Sequence, residues 1–440
     1  MTSRRKAFAV TFSALHVWSA ASYFDVSWKW PREHIKPLGT ALKARRVKVD
    51  KTGSTLSSLK LITLHFDGAM EARNLRDKEA FAGSLFEAKP GDVVYSKIDV
   101  RNGAIGVVTE DLGIVAVSSE FPVYEVDSSQ ALPQYVQLLF RTPYFRRAIN
   151  SMVSGASGRK RVQPSQLVSV HVPLPPIPLQ SAIVQRWREA KANMDAAMLA
   201  VQRVKDELNS DLYTYYYKTC NKDILPDRYI TVPSTALDRW DVKTARAAAF
   251  RRFNPSLVPL SDFAEEATEL VRPWEKPETD FAVYGVSNKS GVFFSHFQKG
   301  ADFNAPYKRI QEGWFFHNPT RSSVGSLGLV PSVLENAVTS PEYQVWRTKA
   351  GAIEPGYIAS LISTAFFISL VQFHRVGAVK QRLYVENLLE IRVPPFASEY
   401  QSTVALAREK ALEDLAASRI DFEKAERETE DAIMGNRSIE

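Results

Sequence analysis

The sequence predicts an α+β fold: two β-rich domains related by internal duplication and joined by two long antiparallel coiled-coil helices. Three observations in the 440-residue chain support this: a glycine frame that occurs twice, β-type runs that follow each copy, and two long stretches with heptad spacing. The predicted segments are 1–178 for the first β domain, 179–220 for the first helix, 221–397 for the second β domain and 398–440 for the second helix.

The duplication is visible as a constant shift of 222 residues. The stretch GDVVYSKIDVRNGAIG begins at Gly91, and its three glycines coincide with glycines of a second stretch that begins at Gly313. The register continues without a gap and keeps aromatic residues on aromatic residues, as with Tyr135 on Tyr357. After a one-residue slip it reaches Arg161, which coincides with Arg382. A frame of this length predicts two copies of one domain.

Each copy contains the signals of a small sheet followed by a packed helix. In the first copy a turn at Gly91–Asp92 precedes a β run, and Gly103 and Gly106 are typical of a tight turn into the next strand. The predicted strands and helix are 93–95, 105–108, 113–117, 122–126 and, for the helix, 133–149. We expect Trp28 and Trp240, which open the two domains, to be core residues.

Each copy is followed by a long helical pattern. From Gln180 to about Tyr217 the apolar residues are spaced alternately by three and four, with no proline or glycine between them. A second stretch from about Glu399 to Ile433 has the same spacing. We predict that the two helices pack on each other, antiparallel, within the chain.

Composition agrees with a soluble globular protein that binds a polyanion. The hydrophobic fraction is 45%, the charged fraction is 24% and the formal net charge is +7. A single cysteine excludes an intrachain disulfide framework and favours the cytoplasm. The N-terminus is not typical of a secretory signal, and we interpret the apolar run 357–371 as a buried helix rather than a membrane span.

The signatures of an enzyme are missing from the sequence. Val393 stands before Pro394-Pro395-Phe396, where a methyltransferase acting on DNA amines needs Asn or Asp. There is no phosphate-binding loop of the NTPase type, and the histidines lack metal-ligand spacing, so no metal or resident cofactor is expected. His317 is expected to be a surface residue.

Together these features resemble the specificity (S) subunit of type I restriction-modification systems. The marks are GDVVYSKIDVRNGAIGVV, the basic segment Gly158–Val162, and the proline-rich turn from Pro173 to Gln180 with a long helix after it. The second copy has a shorter turn at Val393–Phe396 and is expected to lack the glutamine.

The resemblance implies that each β domain is a target recognition domain for one half of a split DNA sequence, and that the helices set the gap between the halves. It implies a non-catalytic, cytoplasmic subunit that binds double-stranded DNA, two methyltransferase (modification) subunits and restriction (motor/nuclease) subunits, with S-adenosylmethionine on the methyltransferase. The alternatives are a protein-binding scaffold and, less favoured, a stand-alone DNA methyltransferase or nuclease.

The candidate DNA-binding residues are polar or basic side chains in the variable parts of the frame, because base edges and phosphates are contacted by such groups. In the first domain they are Lys43, Arg45, Arg46, Lys48, Ser96, Lys97, Arg101, Asn102, Arg159, Lys160 and Arg161. In the second domain they are Lys289, Lys308, Arg309, Asn318, Arg321, Lys380 and Arg382. For the segment Lys43–Lys48 an ordinary charged surface strand remains the favoured alternative.

Overall fold

A computed structural model describes residues 28–50, 60–73, 83–152, 161–220, 232–237, 240 and 242–437. The chain divides into two compact units, of which the first comprises Met1–Met194 with Ser418–Glu440 and the second Asp195–Ala417. Each unit therefore contains one predicted β domain with a part of both long helices.

The first unit is built from ten short strands and three short helices. The strands are β1 (Ile35–Pro37), β2 (Leu42–Arg45), β3 (Lys60–Leu64), β4 (Met70–Arg73), β5 (Leu85–Ala88), β6 (Val93–Tyr95), β7 (Ile105–Val107), β8 (Val115–Ser118), β9 (Val123–Val126) and β10 (His171–Pro173). The helices are α1 (Pro133–Arg141), α2 (Pro143–Met152) and α3 (Pro164–Val168), followed by the long helix α4 (Ile177–Thr219).

These strands form two four-stranded sheets, in the orders β2-β9-β6-β7 and β4-β3-β8-β5, and the separate pair β1-β10. Most neighbours are antiparallel, but β3 pairs with β8 in parallel. The core is apolar and contains the inner faces of α1 and α2, where Tyr135, Leu139, Phe145 and Ile149 are at most 1% exposed. Burial of such aromatic and aliphatic side chains supplies the main stabilisation of the unit.

The second unit repeats this arrangement. After α5 (Val242–Phe253) its strands are β11 (Val258–Pro259), β12 (Ala264–Glu266), β13 (Leu270–Val271), β14 (Asp280–Ser287), β15 (Gly291–Lys299), β16 (Tyr307–Arg309), β17 (Phe315–His317), β18 (Leu327–Leu329), β19 (Ala337–Thr339), β20 (Gln344–Thr348) and β21 (Arg392–Val393). Its other helices are α6 (Pro355–Leu361), α7 (Ala365–His374), α8 (Val385–Leu389) and the long α9 (Ser398–Met434).

The sheets of the second unit match those of the first strand by strand. Their orders are β12-β20-β17-β18 and β13-β16-β19-β14-β15, with β11-β21 as the separate pair. The parallel pair recurs as β14 and β19. The short strand β13 corresponds to an isolated bridge between Lys48 and Phe86 in the first unit, since Leu270 pairs with Lys308 in the same register. The predicted duplication and the α+β class are confirmed.

Individual hydrogen bonds confirm the register of the repeat. Tyr95 Oη donates to the carbonyl oxygen of Val162 over 3.3 Å, and at the equivalent position His317 Nε2 donates to that of Leu383 over 2.9 Å. The backbone N–H of Val162 donates to the carbonyl oxygen of Lys97, as that of Leu383 does to Pro319. The one-residue slip read from the sequence therefore falls between these contacts.

The predicted helix 133–149 is wrong in one respect, because it is two helices. Thr142 separates α1 from α2: its Oγ1 donates to the carbonyl oxygen of Leu139 and accepts from the N–H of Phe145. Thr364 makes the same pair of bonds between α6 and α7. A threonine that caps one helix and closes the preceding one produces a sharp break that apolar spacing alone does not reveal.

The apolar run 357–371 is buried, as predicted, but it is also broken at this position. In the described part of the chain no single helix is long and apolar enough to cross a membrane, although α6 and α7, bent by 78°, pass that test of length and composition together. Tyr357, Leu361, Phe367 and Val371 of this pair are fully buried in the core of the second unit.

The two long helices pack against each other antiparallel within each unit. In the first unit Trp187 of α4 contacts Phe422 of α9, with ring centroids 5.9 Å apart. In the second unit the hydroxyl of Tyr400 on α9 donates to the carboxylate of Asp211 on α4. The heptad positions therefore form an intrachain seam, as the spacing predicts.

The expectation that the second copy lacks the glutamine is wrong. Gln180 is fully buried near the start of α4, where its Nε2 donates to the carbonyl oxygen of Pro175 over 2.7 Å. Gln401, near the start of α9, is 6% exposed and makes the same bond to Phe396 over 2.7 Å. Because the residues around Gln401 differ from the proline-rich turn, the equivalence emerges only from the geometry.

Candidate nucleic-acid interface

The first candidate segment is the connection between β6 and β7, residues 96–104. It is held by the buried Ser96, whose Oγ accepts from the N–H of Asp99 over 3.1 Å. A short 3-10 helix, Val100–Asn102, ends at Gly103 with φ +104°. A Cβ at Gly103 would also meet the carbonyl oxygen of Phe66 at 2.0 Å, so only glycine fits this turn.

The three polar side chains of this segment have different surroundings. Lys97 donates from Nζ to the carbonyl oxygen of Ser119 over 2.8 Å. Asn102 is exposed and lies 3.5 Å from Asp99 through Nδ2. Arg101 is half-buried, and its Nε has no hydrogen-bond partner among the described residues. The segment thus presents donors on a rigid turn, an arrangement suited to contacts with nucleic acid.

The segment Lys43–Lys48 begins on β2, and its first charges are compensated. Lys43 Nζ lies 2.7 Å from Asp127, and this contact raises the pKa of Lys43. Arg45 is held by the buried Asp92 at 2.8 Å and by Glu125 at 3.1 Å. These pairs place Lys43 and Arg45 in the scaffold. Arg46 and Lys48 are exposed.

The structure brings the two predicted segments of the first unit together. A pocket of 430 Å³ is lined by Arg45, Arg46 and Lys48 from one segment and by Lys97 from the other. Sequence alone left these as separate candidates, because nothing in the spacing shows that β2 and the β6–β7 connection face a common space.

The loop that joins α2 to α3 contains the third basic candidate group. Arg159 and Lys160 lie outside the described residues. Arg161 is exposed and lies 3.4 Å from Glu120 through Nε. Its counterpart Arg382 is half-buried and closes a loop through an antiparallel bridge with Val376.

In the second unit the connection between β17 and β18 is the counterpart of the segment 96–104. Asn318 uses its Oδ1 to accept from the N–H of Thr320 at 3.0 Å and from that of Arg321 at 3.3 Å, so its side chain shapes the turn. Arg321 is exposed. The turn ends at Gly325 with φ +88°, as the first ends at Gly103.

The remaining candidates of the second unit lie at separate positions. Lys289 is exposed at the turn between β14 and β15. Lys308 on β16 is half-buried, and burial lowers its pKa. Arg309, also on β16, is exposed and lines a cleft of 670 Å³. Lys380 is exposed in the loop 376–382.

Sequence reasoning missed Arg375. Its Nη2 donates to the carbonyl oxygen of Gln381 at 2.9 Å and to that of Thr320 at 3.3 Å. One guanidinium therefore connects the loop of Lys380 to the turn of Arg321. A signal was present, since an arginine directly follows the apolar helix α7, but its partners are backbone atoms that no motif indicates.

Two sequence expectations about single residues are wrong. Trp240 is 85% exposed rather than a core residue, whereas Trp28 is buried at 8% as predicted. His317 is fully buried rather than at the surface, because it occupies strand β17 at the position of Tyr95. Burial lowers the pKa of His317 to about 4.

Within the described residues no group of three or more His, Cys, Asp or Glu side chains is placed to hold a metal ion. The polar groups near the candidate segments are instead amides, hydroxyls and cations. Such groups bind phosphates and base edges by hydrogen bonds and charge.

Comparisons with known proteins give a fold but no close relative in sequence. No protein-family model and no curated protein matches the chain. The S subunit of the type I restriction-modification system from M. genitalium matches with a TM-score of 0.50 and 10% identity, covering 92% of this chain and 96% of that one.

Two further solved chains align over similar lengths with lower scores. The HsdS subunit from Thermoanaerobacter tengcongensis gives a TM-score of 0.32 at 14% identity, covering 92% of this chain and 97% of that one. A chain described in connection with complex assembly and conformational transition of the type I R-M system gives 0.34 at 14% identity, with coverages of 91% and 96%.

The fold therefore defines a class: a duplicated α+β chain in which two long helices are shared by two β-rich units. Within that class, it is the fold of the type I restriction-modification S subunit from M. genitalium. The resemblance predicted from the sequence motifs is confirmed at the level of the fold.

Proposed function

We propose that this chain is the sequence-specific DNA-recognition subunit of a type I restriction-modification complex. Each β-rich unit reads one half of a bipartite DNA site, and the long helices set the unread gap and dock the methyltransferase subunits. The observation that carries this proposal is the repeat: one scaffold occurs twice with the same turns, while the polar residues on those turns differ.

The turns illustrate this contrast. Gly103 and Gly325 end equivalent turns with φ of +104° and +88°. Between the same scaffold positions, Lys97 and Arg101 of the first unit are replaced by Pro319 and Ser323 of the second. A scaffold that is kept while its exposed donors change is what two modules for different target sequences require.

The chain would act as an adaptor without its own catalysis. S-adenosylmethionine would be bound by the partner methyltransferase, and DNA cleavage would need the restriction subunits. The protein would work in the cytoplasm, where its DNA substrate is found.

The test is to purify the chain alone and together with its modification subunit. Alone it should neither methylate nor cut DNA. With the modification subunit and S-adenosylmethionine it should methylate DNA at a split site, which sequencing of modified bases would map. Methylation by the chain alone, or an unchanged methylation pattern when this chain is deleted from its host, would refute the proposal.

A further inference from the structure

The pocket between β2 and the β6–β7 connection has a distinctive composition. We call it the basic pocket and define it by the cations Arg46, Lys48 and Lys97 and the aromatic residues Phe86, Phe121 and Tyr124. None of the residues that line it is Asp or Glu. Its 430 Å³ is within the range of small-ligand sites.

The three cations of the basic pocket carry uncompensated charge. The neighbouring Arg45 is neutralised by Asp92 at 2.8 Å and Glu125 at 3.1 Å. In the described part of the chain, none of the ion pairs involves Arg46, Lys48 or Lys97. Three like charges beside one space repel each other, and an anion in that space would relieve the repulsion.

The second unit shows that the scaffold does not need these cations. At the positions of Arg46, Lys48 and Lys97 it has Thr268, Leu270 and Pro319. The surrounding strands nevertheless pair in the same register, as β2 with β9 and β12 with β20. Since the fold forms with neutral residues at these three positions, the cations of the first unit are explained by binding rather than by folding.

We propose that the basic pocket binds a backbone phosphate of DNA, with the adjoining deoxyribose against Phe121 and Tyr124, and that only the first unit makes this contact. The inference rests on the proposed function and adds a division of labour to it. A phosphate contact positions DNA without reading its sequence. The first unit thus anchors the duplex, while the second depends on other contacts.

The test is a variant that gives the first unit the neutral character of the second: Arg46→Thr, Lys48→Leu and Lys97→Ala. Alanine replaces Lys97 because proline would remove the N–H that Lys97 donates to the carbonyl oxygen of Glu120. The matched control removes three exposed cations of the same unit outside the pocket, by Arg32→Thr, Lys89→Leu and Arg188→Ala. Circular dichroism melting establishes that both full-length variants are folded.

Binding is measured by fluorescence anisotropy with two labelled duplexes of equal length and unrelated sequence, over a series of salt concentrations. The pocket variant should bind both duplexes about ten-fold more weakly, and its slope of log affinity against log salt should decrease by about 0.9, as for one lost phosphate contact. The control variant should keep most of the wild-type slope.

The outcomes separate the two proposals. If the wild-type chain binds neither duplex at low salt, the DNA-binding function itself fails and the pocket inference fails with it. If the wild type binds and the pocket variant keeps its affinity and slope, only the pocket inference is overturned, and an acidic protein segment becomes the better occupant. An equal loss in the control variant would also overturn it, because diffuse charge would then explain the effect.

Discussion

Arg186 and Asp421 form a two-point ion pair between the two long helices in the first unit: Nη2 lies 2.6 Å from Oδ1, and Nη1 lies 3.2 Å from Oδ2. A third contact joins Arg186 Nε to Glu428 at 3.3 Å. The hydrogen bond from Arg186 lowers the pKa of the Asp421 carboxyl. The planar guanidinium fork fixes the register of the helices more specifically than apolar heptad positions can.

We expect Arg186→Asp to lower the melting temperature, because it places three carboxylates together. The exchange Arg186→Asp with Asp421→Arg should recover part of the loss. The recovery should be small, roughly 1–2 °C, since the pair is partly solvated. Calorimetric scans of wild type, both single variants and the exchange test this. Additive effects of the two substitutions would mean that the pair contributes no coupling.

Buried His317 should make the stability of the second unit sensitive to mild acid. Its folded pKa of about 4 is below the ordinary 6.5, so the folded state holds the neutral ring while the unfolded chain takes up a proton. The contribution is complete above pH 6.5 and is lost as the pH falls toward 4. At pH 5 the loss should be about 2 kcal/mol.

His317→Tyr is the informative variant, because Tyr95 occupies the same position in the first unit and makes the equivalent bond. Urea unfolding between pH 7 and 5 should show a weaker pH dependence in this variant than in the wild type. The exposed His296 provides the control, and His296→Gln should keep the wild-type dependence. An identical slope for His317→Tyr and wild type would contradict the assignment.

The two equivalent glutamines should differ in what they contribute. Gln180 accepts from the N–H of Leu132 and donates to the carbonyl oxygens of Gln130 and Pro175, whereas Gln401 donates to that of Phe396. We expect Gln180→Leu to cost about 2–3 kcal/mol and Gln401→Leu about 1 kcal/mol, measured by urea denaturation. Gln185→Leu, on the exposed side of α4, should stay within about 0.5 kcal/mol. Equal costs at 180 and 401 would show that the extra bonds of Gln180 contribute nothing.

Arg101 should contribute to DNA affinity without supporting the fold. Its Nε is buried without a partner in the described residues, and its counterpart in the second unit is Ser323. Arg101→Ala should therefore weaken DNA binding by about ten-fold in an anisotropy titration, while the melting temperature is kept. Lys89→Ala, an exposed cation elsewhere in the unit, serves as the control. Unchanged affinity would remove Arg101 from the proposed interface.

The length of the long helices should set the gap in the recognised sequence. Both helices belong to both units, with the division after Met194 and after Ala417. Inserting one heptad at each of these points adds about 10 Å of helix, which corresponds to about three base pairs. Methylation mapping should then reveal the same half-sites with a longer gap. An unchanged gap would exclude the helices as the ruler.

The sequence by itself determined the duplication, the α+β class and the seam of the long helices. These depend on local chemistry: glycines for turns with positive φ, as at Gly103 and Gly325, and apolar spacing for helices. The helix break at Thr142 and the equivalence of Gln401 were missed, because both depend on hydrogen bonds to backbone atoms that spacing does not encode.

Only the tertiary structure decided how the candidate residues are grouped. It joined Arg46 and Lys48 to Lys97 around one pocket, assigned Arg45 to a buried ion pair with Asp92, and moved His317 from the surface into the core. The physical reason is that the burial and charge of a side chain depend on strands far apart in sequence. A residue type states what chemistry is available, and the packing of distant segments decides which partners that chemistry meets.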